Sequence, residues 1–112
     1  MTSSGASIRS VCILVCTYKR PIYFRRLIEN IRDLEVPAGV ELMLGVADNN
    51  ETSEREGYVG AAIEGIGIPT SYGHEPSAGY SNARNEAVRI GLRTDADLFV
   101  FIDDDLVLPP GW

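Results

Sequence analysis

Three consecutive aspartates, Asp103, Asp104 and Asp105, carry the clearest chemical signal in this sequence. They follow a strand-like apolar run, LFVFI, and adjacent carboxylates repel one another unless a positive group lies nearby. On an extended backbone Asp103 and Asp105 would point to the same side, about 7 Å apart, close enough to hold a cation directly or through water. Hard oxygen ligands select Mg²⁺ or Mn²⁺, whose open positions accept phosphate oxygens. The triplet therefore predicts a metal site at Asp103 and Asp105, although a turn with one capping and two solvated aspartates fits the same short pattern.

A second stretch, AGYSNARNEA, is suited to an anion. Gly79 allows close approach of the backbone at the start of a helix, where free amides and the helix dipole favour negative charge. Arg84, about one turn further on, could add a charge-assisted hydrogen bond. The plainer interpretation is an ordinary surface arginine on a helix with a serine cap.

Polar residues also end two earlier apolar runs. Thr17 and Tyr18 lie in CTYKR and could hold a nucleoside by hydroxyl contact and ring packing, whereas Asp48 and Asn49 in VADNN offer an acceptor and a donor for the edge of a base. A core-edge aromatic and an Asx turn are the ordinary explanations of the same residues. CTYKR lacks the glycine spacing of a dinucleotide fingerprint or a P-loop, so neither cofactor class is supported. His74, the only histidine, is interpreted as a solvated loop residue rather than a catalytic one.

Alternating strand and helix patterns position these polar stretches. A nearly continuous apolar run predicts a first strand over residues 8–18, and Pro21 then opens an amphipathic helix of about 14 residues. A second strand is predicted over 40–50. Residues 51–68 are ambiguous, because the hint of a short helix is weakened by several glycines.

The second half of the chain repeats the alternation. It predicts a short third strand over 68–73, a helix of about 13 residues and a fourth strand over 97–102. Such alternation predicts an α/β fold with a mainly parallel four-stranded sheet and right-handed crossovers. Ligands of these sheets bind outside the carboxyl ends of the strands, so TYKR, ADNN and DDD are expected to share one edge. The inner side of the second long helix is expected to consist of Tyr80, Ala83, Ala87, Ile90 and Gly91.

Length, charge and cysteine spacing narrow the possible partners. The 112 residues fit one domain, and a net charge of −6 has the wrong sign for a nucleic-acid partner. No segment is long and apolar enough to span a membrane, and residues 1–7 are expected to be a disordered end without the features of a secretion signal, which predicts a cytoplasmic location. Cys12 and Cys16 would lie about 13 Å apart on a strand, too far for a disulfide, and are predicted to be buried thiols.

Four stretches together resemble the donor-binding half of glycosyltransferase family 2, the inverting transferases with the GT-A fold. They are VCILVCTYKRP, VADNN, GYSNARNEA and FIDDDLVLPPGW, in the order and spacing of the family and over nearly the whole chain. The resemblance implies a partial, Rossmann-like GT-A nucleotide-sugar-binding domain at residues 8–112, truncated after a mainly parallel four-stranded sheet with flanking helices. It also implies transfer of a sugar from a nucleoside-diphosphate sugar, with a UDP-sugar as the first expectation, to a saccharide or lipid acceptor with the help of Mn²⁺ or Mg²⁺.

The resemblance also implies roles by position. Asn49 and Glu51 depart from the residues of many relatives, so the base of the donor stays open, as does the aspartate that faces the ion. The general base of the family would belong to a second half of the fold after Trp112, so none is assigned, and the chain alone is expected to be inactive. An exposed face left by that half would favour self-association. The implied contacts are, for the donor nucleotide, Thr17, Tyr18, Arg20, Asp48, Asn49, Gly79, Arg84, Asp103 and Asp104, and for the metal, Asp103 and Asp105.

Three alternatives stay open. VFIDDDLVL also resembles the nucleophile strand of haloacid-dehalogenase-type phosphatases, with Asp103 as nucleophile and Asp105 as acid/base, although that motif normally opens its domain. A sugar-nucleotide-forming nucleotidyltransferase would need a glycine-rich loop where TYKR stands. A non-catalytic fragment that binds nucleotide and metal fits the same residues as the transferase.

Overall fold

A computed structural model describes residues 8–112, so the expected disorder of residues 1–7 lies outside the described residues. All the predicted strands and helices are present within a few residues of their predicted bounds, and the ambiguous segment contains one short helix. The strands are β1 (Ser10–Thr17), β2 (Glu41–Asp48), β3 (Thr70–His74) and β4 (Leu98–Asp103). The helices that connect them are α1 (Pro21–Arg32), α2 (Tyr58–Ile63) and α3 (Tyr80–Leu92).

The strands form one parallel sheet in the order β3-β2-β1-β4. The register places Thr17 beside Asp48, Asp48 beside His74, and Cys16 beside Asp103. The predicted α/β class is therefore confirmed, and the three polar stretches do end at the same edge of the sheet. His74 is the last residue of β3 rather than a loop residue, because β3 extends one residue beyond its predicted end.

Helices cover both faces of the sheet. On one face, Ile13 and Val15 of β1 pack with residues of α1 and α2, and on the other face Leu14 packs with Ile90 of α3. Burial on both faces explains why the strand sequences are almost continuously apolar. Gly45 of β2 lets α3 approach closely, since a Cβ atom there would lie 2.9 Å from Cγ2 of Ile90 in that helix.

The predicted inner side of α3 is correct except at Tyr80. Ala83, Ala87, Ile90 and Gly91 are buried, but Tyr80 is 67% exposed. Tyr80 is the first residue of the helix, where α3 begins at the carboxyl edge of the sheet, and its side chain borders open space instead of the core.

The residues after β4 return along α1. Leu108 is buried in the core between the sheet and α1, and its amide donates to Asn30 Oδ1 at 2.9 Å. Further on, the Glu35 amide donates to the Pro110 carbonyl at 2.8 Å. The acid triplet is thus held between β4 and a buried anchor. Within residues 8–112, no helix has the length and apolar character needed to cross a membrane.

Candidate functional site

An open cleft of about 710 Å³ lies at the carboxyl edge of the sheet, beside the ends of β1 and β4. The chain runs from β1 outward to β3 and then returns to place β4 on the other side of β1, and ligands of open α/β sheets bind at such a reversal. All the predicted site residues except Asp48 line this cleft. They are Thr17, Tyr18, Arg20, Asn49, Gly79, Arg84, Asp103, Asp104 and Asp105.

The acid triplet is a turn and not an extended segment. β4 ends at Asp103, and the Leu106 amide donates to the Asp103 carbonyl at 3.3 Å. The extended backbone assumed for residues 103–105 is therefore wrong, because the chain turns after β4. Asp103 and Asp105 are exposed, whereas Asp104 is 7% exposed and lies between them.

Arg20 supplies positive charge to the triplet. Its Nη1 atom lies 3.1 Å from Asp105 Oδ2 and 3.6 Å from Asp104 Oδ1. Burial raises the pKa of the Asp104 carboxyl, and the hydrogen bond from Thr17 and the charge of Arg20 offset that effect only in part. Groups of the described chain thus offset part, but not all, of the negative charge of the triplet.

The donor set at the triplet fits a hard divalent cation that takes further ligands from elsewhere. Asp103 forms no hydrogen bond or ion pair through its side chain with residues 8–112, and it is an exposed residue that lines the cleft. The described part of the chain contains no group of three or more His, Cys, Asp or Glu side chains arranged to hold a metal ion. Mg²⁺ and Mn²⁺ sites that bind phosphate commonly use one or two carboxylates and fill the remaining positions with phosphate and water oxygens.

The start of α3 faces the same cleft with its backbone uncapped. Gly79 is the N-cap residue with φ +127°, a conformation that disfavours any side chain, and no side chain caps the helix. The serine cap of the plainer interpretation is therefore absent. Arg84 stacks 4.0 Å from the centroid of the Phe101 ring and donates to the Tyr80 hydroxyl at 2.7 Å. It makes no ion pair within residues 8–112, so this end of the cleft combines free amides with an available positive charge.

Tyr18 and Asn49 have different freedom to contact a ligand. The exposed Tyr18 donates to Glu51 Oε2 at 2.9 Å, which holds its ring at the rim of the cleft. The Asn49 amide group instead donates to the carbonyls of Glu75 and Ser77 at 2.8 and 3.0 Å. Asn49 therefore fixes the loop that leads into α3, and its donor hydrogens are already used.

Asp48 lies outside the cleft as a fully buried carboxylate. It accepts hydrogen bonds from the Tyr72 hydroxyl at 2.5 Å, from the Glu54 amide at 2.7 Å, and from the Asn50 amide and side chain at 3.0 and 2.7 Å. Burial would raise its pKa, but these four hydrogen bonds outweigh burial and the pKa of Asp48 is lowered. The carboxylate is saturated by the protein, so any effect on a nucleoside is indirect.

Sequence reasoning missed several residues at this edge. Cys16 and Phe101 line the cleft, and Asn50 and Tyr58 form hydrogen bonds directly behind it. Tyr58 lies in the segment whose periodicity was ambiguous, and the sequence gives no sign of its hydrogen bonds. Cys16 is partly buried and Cys12 fully so, both as free thiols, and burial raises the pKa of Cys16 to about 11, which makes it a neutral lining group.

The sequence model of glycosyl transferase family 2 matches residues 12–112. No curated protein matches the chain. Among solved structures, the chain is similar to the mannosyltransferase PcManGT from Pyrobaculum calidifontis in complex with GDP-Man and Mn²⁺, with a TM-score of 0.73 and 23% identity over 91% of this chain and 29% of that one. It is also similar to TarS 1-349 from S. aureus in complex with UDP, with a TM-score of 0.72 and 16% identity over 91% of this chain and 29% of that one.

These likenesses establish the fold and also its extent. The described sheet and helices correspond to less than a third of the length of either solved protein. The predicted assignment to a GT-A fold, as one part of a larger fold, is confirmed.

Proposed function

Since the chain belongs to glycosyl transferase family 2, we propose that it is the donor-binding part of a transferase that uses a nucleoside-diphosphate sugar and Mn²⁺ or Mg²⁺. The observation that carries the proposal is the convergence of Arg20, Arg84, the uncapped start of α3 and the acid triplet on one cleft. This combination suits a diphosphate accompanied by a cation. A UDP-sugar is the first donor to test, and the acceptor would be a saccharide or a lipid.

The diphosphate would lie between the two arginines. The amides after Gly79 and the guanidinium of Arg84 would bind it from the α3 side, and Arg20 from the β1 side. Asp103 and Asp105 would hold the cation, with Asp105 leaving its ion pair with Arg20. The bound ion would neutralise the charge that develops on the leaving diphosphate as the sugar bond breaks.

The nucleoside would lie towards the end of β1. Tyr18 would pack its ring on the nucleoside, and Thr17, whose hydroxyl donates to Asp104, would shape the floor. Asp48 and Asn49, predicted as direct contacts, would act by holding the turn after β2 and the loop before α3. No residue of the chain is proposed as the general base, and transfer by the 112 residues alone is not expected.

Binding of nucleotide and metal by these 112 residues, without transfer, is the second candidate; they span 29% of the length of PcManGT and of TarS 1-349. This second role uses the same cleft as the transferase role and differs from it only in the absence of sugar transfer. A cytoplasmic location and self-association remain predictions from the sequence.

Calorimetric titration of UDP, GDP and dTDP, each with and without Mn²⁺, tests the proposal. We expect at least one nucleotide to bind more tightly with Mn²⁺, and we expect Asp103→Asn and Asp105→Asn to reduce that gain about tenfold or more, because each removes a charged oxygen ligand. Asp95→Asn is the matched control, since Asp95 is an exposed aspartate just before β4, at the opposite edge of the sheet.

Weak binding that Mn²⁺ leaves unchanged would count against the transferase proposal. Hydrolysis of p-nitrophenyl phosphate that disappears in Asp103→Asn would instead support the phosphatase alternative. Sugar transfer by the 112-residue chain would contradict the expectation that it is inactive alone.

A further inference from the structure

A chain of hydrogen bonds runs behind the cleft from one acidic site to the other. The Asn50 amide group donates to Asp48 Oδ1 at 2.7 Å and to the Tyr58 hydroxyl at 3.0 Å. The Tyr58 hydroxyl lies 3.0 Å from Thr17 Oγ1, and Thr17 donates to Asp104 Oδ2 at 3.2 Å. Three hydrogen bonds therefore link Asn50, at the turn after β2, to the centre of the acid triplet.

The chemistry of the groups fixes the direction of this chain. The Lys19 backbone amide, which can only donate, lies 2.9 Å from Asn50 Oδ1, so the other side-chain atom of Asn50 is the NH₂ group. One hydrogen of that NH₂ goes to Asp48 and the other to Tyr58. Thr17 gives its single hydrogen to the Asp104 carboxylate, so it must accept from Tyr58. Every hydrogen between Asn50 and the triplet thus points towards Asp104, an arrangement in which successive bonds strengthen one another.

The links of this chain are held rigidly by the fold. The Tyr58 ring packs edge-on against Phe24 of α1, with ring centroids 5.9 Å apart and an interplanar angle of 81°. Thr17 is 1% exposed and Asp104 is 7% exposed, so water has little access to the final bond. Tyr58 does not line the cleft, but its hydroxyl contacts Thr17, which does.

We propose that Tyr58 is a positioning residue for the donor site, whose hydroxyl aims Thr17 at Asp104 and thereby holds the Asp103–Asp105 turn in its metal-binding orientation. The inference rests on the proposed function and assigns a role to α2. Asp104 lies between the two carboxylates proposed to hold the cation, so fixing its side chain restricts both neighbours. Groups that orient metal ligands from outside commonly affect metal affinity strongly.

Removal of single hydroxyl groups tests this role. Tyr58→Phe keeps the ring on Phe24 and removes only the hydroxyl, and Thr17→Val breaks the same chain one step later. For the tightest of UDP, GDP and dTDP, we expect both variants to reduce the tightening caused by Mn²⁺ by about threefold to tenfold. Thr17→Ser, which retains the hydroxyl, should preserve most of that tightening.

The matched control is Tyr23→Phe. Tyr23 is 47% exposed, and its hydroxyl forms no hydrogen bond within the described chain, so the same chemical change should leave the effect of Mn²⁺ at the wild-type value. A purely structural role of Tyr58 would lower the midpoint of thermal unfolding without changing the ratio of dissociation constants with and without Mn²⁺. An unchanged ratio in Tyr58→Phe would overturn the proposal.

Thermal unfolding without any ligand provides a second measurement, using Tyr58→Phe, Asp104→Asn and the double variant. If Tyr58 acts through Asp104, its loss should lower the midpoint less in the Asp104→Asn background, because the amide is a weaker acceptor for Thr17. Additive midpoints together with metal-dependent nucleotide binding would overturn only the role of Tyr58. If the midpoints of the variants are non-additive but the wild-type chain binds nucleotide without any effect of metal, the proposed function itself would be overturned.

Discussion

Two acidic sites lie at the same edge of the sheet and are built in opposite ways. Asp48 is fully buried and accepts four hydrogen bonds from its own surroundings. Asp104 is almost as buried but accepts a hydrogen bond from Thr17 and shares the charge of Arg20 with Asp105. Burial raises the pKa of both carboxyls, yet hydrogen bonds reverse the effect at Asp48 and fail to reverse it at Asp104.

The difference separates a structural carboxylate from one that can respond to a ligand. A buried charge that is fully hydrogen-bonded has little to gain from an added cation. A buried charge beside two further carboxylates, with only a half-exposed arginine to offset them, gains from any cation that enters the cleft. The contrast therefore supports a structural role for the turn after β2 and a binding role for the turn after β4.

The largest expected effect comes from Asp48→Ala. The substitution would leave the Tyr72 hydroxyl and the Glu54 and Asn50 amides without their acceptor, and we expect the free energy of unfolding to fall by about 3 kcal/mol or more. Urea denaturation followed by circular dichroism measures this value, with Asp95→Ala as the control at an exposed aspartate. A loss below about 1 kcal/mol would show that Asp48 is not a structural anchor.

A smaller effect, with a characteristic pH dependence, is expected for Asp104→Asn. The folded-state pKa of Asp104 is raised, so ionisation of this group lowers stability at neutral pH, and the penalty disappears as pH falls through the folded pKa towards the unfolded value of about 3.9. The variant lacks the penalty, so its stability relative to wild type should be most favourable at neutral pH, by roughly 1 kcal/mol compared with acid conditions.

Denaturation of both proteins between neutral and acid pH measures that difference. The contribution of Asp48 to stability depends on pH in the opposite direction, because its folded-state pKa is lowered. Its ionisation stabilises the fold above the unfolded pKa, and this stabilisation is lost as pH falls through the folded pKa. This contribution is common to the wild type and to Asp104→Asn, so it cancels in the comparison. If Asp104→Asn instead became more stable relative to wild type as the pH falls, the raised pKa of Asp104 would be contradicted.

The smallest effect is expected for Arg20→Gln. Arg20 is half exposed, so loss of its ion pairs should lower the free energy of unfolding by less than about 1 kcal/mol.

The same change leaves the triplet more negative, and Mn²⁺ added without nucleotide should bind about threefold more tightly. Electron paramagnetic resonance of free Mn²⁺ measures the binding. Arg32→Gln is the control, because the one ion pair of Arg32 with a residue in the range 8–112 is with the exposed Asp33, at the other end of α1. Weaker binding of Mn²⁺ by Arg20→Gln would mean that Arg20 orders the carboxylates for the ion rather than competing with it.

Apolar periodicity was sufficient to predict the strands, the two long helices and the parallel sheet. Strands buried on both faces and helices with one buried side leave regular patterns along the chain, and each element obeys its own local pattern. The common edge of the three polar stretches followed from the same argument, since the carboxyl ends of parallel strands lie together. The sequence leaves the short α2 ambiguous, because the glycines around it weaken the periodic signal.

The contacts within the site depended on tertiary structure. Thr17 and Asp104 are 87 positions apart, and Thr17 and Tyr58 are 41 apart, so no local pattern reports their hydrogen bonds. Positions 48 and 104 are both aspartates. The sequence therefore gives no sign that the protein supplies a full set of hydrogen bonds to the carboxylate of Asp48 but not to that of Asp104. The kinds of side chain at this edge are a property of the chain, whereas their burial and hydrogen-bond partners, which decide the energetic state of each carboxylate, arise only when distant segments pack together.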